Sequence, residues 1–404
     1  MTQQSFARPY YIFFLVLPAG ISNGFVTVAL PYVLTHNGFS VAQTTAIVAV
    51  GLAANLWRFL WGPVADLSLS LRKWFMIGVI GSAAMLLLLC FTPFTVKGAA
   101  LLTVIVFISQ VAGTFVMLPV GGFMAHRIEE KRKGSAGGWF QAGNLGGTGL
   151  GGGAGLWLAT HYNVGVAGIV LAIASVVFGL AVLLIEDVKN NKEKSVAGEI
   201  ITMGKDILSM VKVPIILFVI VFICIAPIGS GAAGNVWSSI AGDWKTDADT
   251  VALVTGLLSG LVSALGCVVG GFVADRWGNW VGYFGGGVIV ALVTVAMAFA
   301  PFQPFVFIAG VLTYSFTSGM CYAVFSSAVL FAIGKKNSST KYALLSSIGN
   351  LPVVYMTAFD GWAHDKYNSK DMLLAEAVVG VCAVMIAVIT LNWMKARKVS
   401  LQPV

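Results

Sequence analysis

Few residues of this chain are of a type that could do chemistry, because only 10% of its 404 residues are charged. Arg58 is the one cation well inside a long apolar run, and Asp360 and Glu376 are the acids nearest such runs. Uncharged polar side chains accompany them: Asn23, Gln110, Gln141 and Asn144 in the first half, and Asn235, Tyr314, Tyr322 and Asn350 in the second. Polar groups are costly in lipid and usually face a cavity or a partner there. As a set they describe a polar, mostly uncharged pocket with aromatic walls (Trp139, Trp237, Tyr314, Tyr322). Such a pocket suits a small organic solute better than an inorganic ion. Arg58 either holds a carboxylate or phosphate of that solute or acts as a snorkelling anchor. Asp360 and Glu376 are the residues that could carry protons. The five cysteines stand singly, without a C-x-x-C pair, so neither a metal nor a disulfide framework is expected. No cofactor is expected either. Gly147-x-Gly149-x-x-Gly152 spells a dinucleotide fingerprint, but that motif needs a preceding strand, and here it lies within an apolar run.

A second constellation is repeated. Gly62-Pro63-Val64-Ala65-Asp66 is followed by Arg72 and Lys73, and Gly271-Phe272-Val273-Ala274-Asp275 by Arg276. The two copies are 209 residues apart, as are Pro18-Ala19-Gly20 and Pro227-Ile228-Gly229. Three anchors at one offset mean a chain built twice, the pattern of repeat-built transporters. Each aspartate follows an apolar run at a tight turn. Asp66 is placed to accept hydrogen bonds from the start of helix eleven, where Ser338, Thr340 and Lys341 offer donors. Asp275 is placed to do the same at the start of helix five, near Gly134 and Ser135. A carboxylate at a helix N-terminus gains about 0.3–1 kcal/mol. A latch and a plain turn signal both fit this pattern; its recurrence at one offset favours the latch.

The elements that must position these residues are membrane helices. The chain is 58% hydrophobic, with a mean hydropathy of +0.90, whereas soluble domains carry about 25% charged residues. About 20 apolar residues cross the hydrocarbon core. Twelve such stretches occur, near 9–34, 42–66, 72–93, 98–125, 135–160, 164–186, 213–239, 249–274, 280–300, 304–333, 340–363 and 372–394. The expected architecture is therefore all-α, with two pseudo-symmetric six-helix bundles at 1–187 and 213–404. The linker, 188–212, should form an amphipathic surface helix bearing Ile200, Met203, Ile207 and Met210 on one face. The long tenth stretch has the length to accommodate a kink or a break. In the fifth, Gly143, Gly147, Gly151 and Gly155 form a bare ridge suited to close helix contact.

Loop charge sets the orientation. Nineteen of the 24 cations fall in loops on one face, which places both termini in the cytoplasm. The net charge of +8 has this explanation, so no nucleic-acid partner is expected. Twelve helices in two halves, with Gly-x-x-x-Asp after helices two and eight, resemble the major facilitator superfamily. FLWGPVAD at 59–66 is similar to the FLWxPxxD segment of its peptide/acetyl-coenzyme A transporter group. That group holds AmpG-type muropeptide permeases, acetyl-coenzyme A transporters and some siderophore permeases. KYALLSS at 341–347 resembles the AmpG-type QYALLSxL helix start, and GGAGLWL at 152–158 its GGxLALWLA run.

The resemblance implies the major facilitator fold and a cavity lined by helices one, five, seven and eleven. It also implies latches at Gly62, Asp66, Arg72, Lys73, Lys341, Gly271, Asp275 and Arg276. The expected function is proton-coupled uptake of a muropeptide-like, siderophore-like or other polar organic solute, by a monomer in the lipid of a bacterial inner membrane. A coenzyme A thioester transporter or exchanger is the nearest rival. A membrane-embedded acyltransferase or a non-transporting receptor is the rival of another class. Asp66→Asn is expected to cripple uptake while folding and solute binding survive. Asp275→Asn should be milder, since only Arg276 stands beside it. A normal uptake rate from folded Asp66→Asn protein would overturn the latch.

Overall fold

The structure, a computed structural model, describes residues 7–39, 41–58, 61–62, 69–188, 204–205, 208–333 and 338–397. Its regular elements are helices, as an apolar chain in lipid requires, since a helix satisfies its own backbone groups. In chain order the principal ones are α1 (Tyr11–Leu34), α2 (Val41–Leu56), α3 (Leu71–Phe91), α4 (Val96–Arg127) and α5 (Lys133–Gly149). There follow α6 (Val164–Leu184), α7 (Pro214–Ile225), α8 (Leu253–Trp277), α9 (Asn279–Phe299), α10 (Pro304–Ile333), α11 (Thr340–Lys366) and α12 (Ser369–Ala396).

Among the described residues, nine of these are long and apolar enough to cross a membrane; α2, α5 and α7 are not among the nine. Each of the three has its own reason. The stretch expected at 42–66 is helical over Val41–Leu56, and 59–60 and 63–66 lie outside the described residues. In α5 the glycines dilute the hydropathy, although the helix continues through a π turn, Leu150–Ala154, into Gly155–His161. The stretch expected at 213–239 is broken after Ile225. Ala226 precedes Pro227 and takes an extended conformation (ψ 147°), because a residue before proline is disfavoured in the helical region. The tenth stretch is not broken: α10 is one helix of 30 residues. Most of the linker, with Ile200, Met203 and Ile207, lies outside the described residues. Of the five cysteines, four are buried and Cys382 is exposed.

The chain divides into two compact units. One comprises Met1–Glu129, Gly143–Gly204 and Lys335–Ser347; the other comprises Glu130–Ala142, Lys205–Gly334 and Ile348–Val404. The first has a core of Leu17, Ile21, Phe25, Leu86, Ile105 and Leu171, among others. At its polar margin Arg127 pairs with Glu186 at 2.9 Å, and the Arg72 backbone N–H donates to Asp187 Oδ1 at 3.1 Å. Lys73 is held in the first turn of α3, its N–H donating to Ser70 Oγ at 3.4 Å.

Within the first unit the glycine ridge meets α1 backbone to backbone. A Cβ on Gly143 would lie 2.5 Å from the Phe13 carbonyl oxygen, and one on Gly147 would lie 2.8 Å from that of Leu17. One on Gly151 would collide with the Ile21 carbonyl. From the other side, Gly20 and Gly24 press on Asn144 and Thr148. The ridge is therefore covered by α1 and does not face lipid. Gly149, two residues before Gly151, has nothing within 4 Å of its Cβ position. Gly147→Val or Gly151→Val should therefore cost at least about 1–3 kcal/mol of packing free energy and lower the melting temperature of the purified protein. Gly149→Ala should leave it unchanged or raise it, given alanine's better helix propensity. Equal melting temperatures for wild type and Gly151→Val would refute the close contact.

Candidate functional site

In the second unit the break after α7 is the feature around which polar groups collect. Gly229 and Gly231 follow with positive φ (58° and 69°), a conformation that side chains with a Cβ rarely adopt. A short 3-10 turn, Ala232–Asn235, resumes the chain. Unwinding frees carbonyl groups, and hydroxyls from other helices answer them. Tyr283 donates to the Ile223 carbonyl at 3.1 Å, Tyr355 to Ile225 at 2.6 Å and Tyr322 to Ser230 at 3.0 Å. Thr357 donates to Ala232 at 3.4 Å and accepts from Asn235 Nδ2 at 2.9 Å.

Tyr314 ties the break to an acid. Its hydroxyl accepts from the Ala233 N–H at 3.3 Å and donates to Glu376 Oε1 at 2.6 Å, and its ring meets Trp237 edge-on at 5.3 Å. Asp360 lies within electrostatic reach of both Tyr314 and Glu376. Asp360 is 0% exposed and Glu376 is 7% exposed. Both oxygens of Asp360, and Oε2 of Glu376, have no hydrogen-bond partner among the described residues. His364, one turn beyond Asp360, turns instead to Asp243 at 3.3 Å.

The same unit holds one copy of the glycine–aspartate motif. Gly271 lies against Gly134 and Gly138 at the start of α5, where a Cβ would approach the Gly134 carbonyl to 2.8 Å. Asp275 Oδ2 accepts from the Ser135 N–H at 2.9 Å and from the Ser135 hydroxyl. Arg276 is exposed. Gln141 donates to Ser326 Oγ at 2.8 Å, away from the acid cluster.

In the first unit Gly62 takes the matching place, its Cβ position lying 2.7 Å from Thr340 Cα at the start of α11. Asp66 lies outside the described residues; Lys341 is buried. Arg58 follows the end of α2, donates to Ser346 Oγ, and its Nε is buried without a partner among the described residues. Gln110 donates to the Ser22 hydroxyl at 3.2 Å, and Asn23 reaches Thr148 Oγ1 at 3.5 Å. The Asn144 carbonyl accepts from Thr148 at 2.9 Å. Asn350 occupies the turn between Ser338–Ile348 and Leu351–Lys366.

The second unit thus brings together Tyr314, Tyr322, Asn235, Asp360 and Glu376, while its Gln141 bonds Ser326 instead. Tyr283, Thr357 and Ser346 are contributors that the sequence pattern did not give a role. Each is a common residue in an apolar helix, and its importance comes from a partner far along the chain.

No curated protein matches this sequence. Among solved structures, the Escherichia coli fucose:proton symporter FucP is similar, at 13% identity and a TM-score of 0.70, over 95% of this chain and 99% of that one. The human organic anion transporter TETRAN is similar at 11% identity and a TM-score of 0.67, over 94% and 98%. At these identities the likeness speaks for the fold. The family description "Major Facilitator Superfamily" matches residues 12–357. The chain, an integral membrane protein of many apolar helices, therefore belongs to the Major Facilitator Superfamily, a family of transporters of small solutes and not of enzymes.

Proposed function

We propose that the protein is a twelve-helix secondary transporter, two six-helix halves joined by a linker at 188–212, that takes up a polar organic solute by alternating access. Protons entering through Asp360 and Glu376 drive it. The observation that carries this reading is the burial of two carboxylates, without a basic partner among the described residues, inside spans of a facilitator-family chain. An unpaired ionised carboxylate in such surroundings costs several kcal/mol. Taking up a proton removes that cost and gives the cluster two states. Tyr314 is the third titratable group facing the pair. The proton named in FucP's description supports the same chemistry.

Solute contacts fall to Asn23, Arg58, Gln110, Gln141, Asn144, Asn235, Tyr314, Tyr322 and Asn350. Gly62, Asp66, Arg72, Lys73, Lys341, Gly271, Asp275 and Arg276 act in gating. The AmpG-like segments at 59–66, 152–158 and 341–347 favour a muropeptide-like or siderophore-like solute and a bacterial inner membrane, with both termini cytoplasmic. The Nε of Arg58, unpartnered among the described residues, favours an anionic group on the solute, as does the organic anion in TETRAN's description. A coenzyme A thioester exchanger is the second reading on that same observation.

Purified protein in liposomes tests both parts. Arg58→Ala should weaken binding of an anionic solute by about 2–5 kcal/mol, the cost of stranding one partner of a buried charge pair. Arg58→Lys should restore part of this, and a neutral analogue should be indifferent to either change. Asp360→Asn and Glu376→Gln should abolish accumulation driven by an imposed pH gradient while solute exchange without a gradient continues. Gradient-driven accumulation at the wild-type level in both acid variants would remove the proton role.

A further inference from the structure

Beside the acid cluster the second unit contains a small cavity between the break after α7, α9 and α12. Its volume is about 10 Å³, and Pro227, Gly229, Ser230, Thr294 and Glu376 are among its lining residues. That is room for about one water-sized particle. Its polar walls are oxygen donors. The Pro227 carbonyl oxygen lies 3.8 Å from the Cβ position of Gly380, another lining residue. Thr294 is 0% exposed, and its hydroxyl donates to the Ala291 carbonyl at 2.9 Å, which leaves its oxygen lone pairs free to accept. Glu376 supplies formal charge through Oε2, which has no partner among the described residues. Oε1 is fixed by Tyr314, so the side chain is oriented before any ligand arrives.

Carboxylate, hydroxyl and carbonyl oxygens are the donors that hard cations prefer. Unwound backbone within a membrane helix is a recurrent source of them. The one carboxylate in the lining, Glu376, supplies a single negative charge, which a singly charged, oxygen-seeking ion balances. The nearby Asp360 adds negative charge without a basic partner among those residues.

We propose that this cavity is a sodium site, with Glu376 as its charged ligand and with Thr294 and the carbonyl groups of the Pro227–Ser230 break as its neutral ligands. The inference deepens the coupling role given to Glu376 above and adds a second ion that competes for the same carboxylate.

The test is thermal unfolding of the purified full-length protein at fixed pH in sodium chloride against choline chloride of equal ionic strength. Sodium should raise the melting temperature in a saturable way, as any ligand of the folded state does, and choline should not. Glu376→Gln should abolish the rise, and Thr294→Val should move its midpoint about tenfold upward in sodium. If Glu376→Gln does not fold, binding of radioactive sodium to the wild type and the Thr294→Val midpoint decide. Equal melting temperatures in the two salts, a full sodium response in folded Glu376→Gln, or no bound radioactive sodium overturns the site. Proton-driven uptake without any sodium response would sink the sodium site and leave the proton reading standing. A sodium response without proton-driven uptake would do the reverse.

Discussion

An unwound peptide inside an apolar span must find hydrogen-bond partners within the protein, because lipid offers none. The break after α7 is where this constraint is most severe, and the second unit is arranged to meet it. Tyr283, Tyr322, Tyr355 and Thr357 each bring a hydroxyl to a carbonyl that helical geometry no longer satisfies. Tyr314 brings one to an amide. Each hydroxyl thereby fixes the helix that carries it, so the polar scaffold around Glu376 follows from one interruption. Had Pro227 been accommodated in a continuous helix, those tyrosines would have had no backbone to cap.

The first unit solves the corresponding stretch differently. Pro18-Ala19-Gly20 has the same Pro-x-Gly spacing as Pro227-Ile228-Gly229, yet α1 runs through it unbroken. There the glycine is used for proximity. Gly20 and Gly24 admit the backbone of the Gly147–Gly151 ridge, and the helix is pinned along one face by a contact that no side chain could share. Small residues at such a contact let two helix backbones approach closely. Gly229 and Gly231 instead supply positive φ. One residue type in one repeated motif serves two physical ends.

This divergence explains what the sequence made legible. Nine spans were readable to within a few residues, because hydropathy over about 20 residues is a local property. The glycine ridge was legible as a ridge, and its partner was not, since nothing local says which helix will approach. The break was in principle readable from Ala226-Pro227 with Gly229 and Gly231; the apolar run around it masked the signal. The hydroxyl partners were not readable, for they come from 60, 92 and 130 residues away. Of the polar candidates, Gln110 donates to the Ser22 hydroxyl, a partner 88 residues away that the sequence does not name. A buried amide satisfied by a neighbour looks the same in sequence as one facing a solute.

The charged groups follow the same division. The first unit carries a partly buried cation, Arg58, held by the neutral Ser346 with its Nε unpartnered among the described residues. The second carries two buried acids, one of them anchored by Tyr314 and the other unpartnered among the described residues. The two units thus differ at groups that are costly to bury. Groups of that kind destabilise a membrane protein unless something binds them. A bound ligand of opposite charge, or a proton on a carboxylate, removes that cost, and this is the physical basis of the solute and ion roles proposed above.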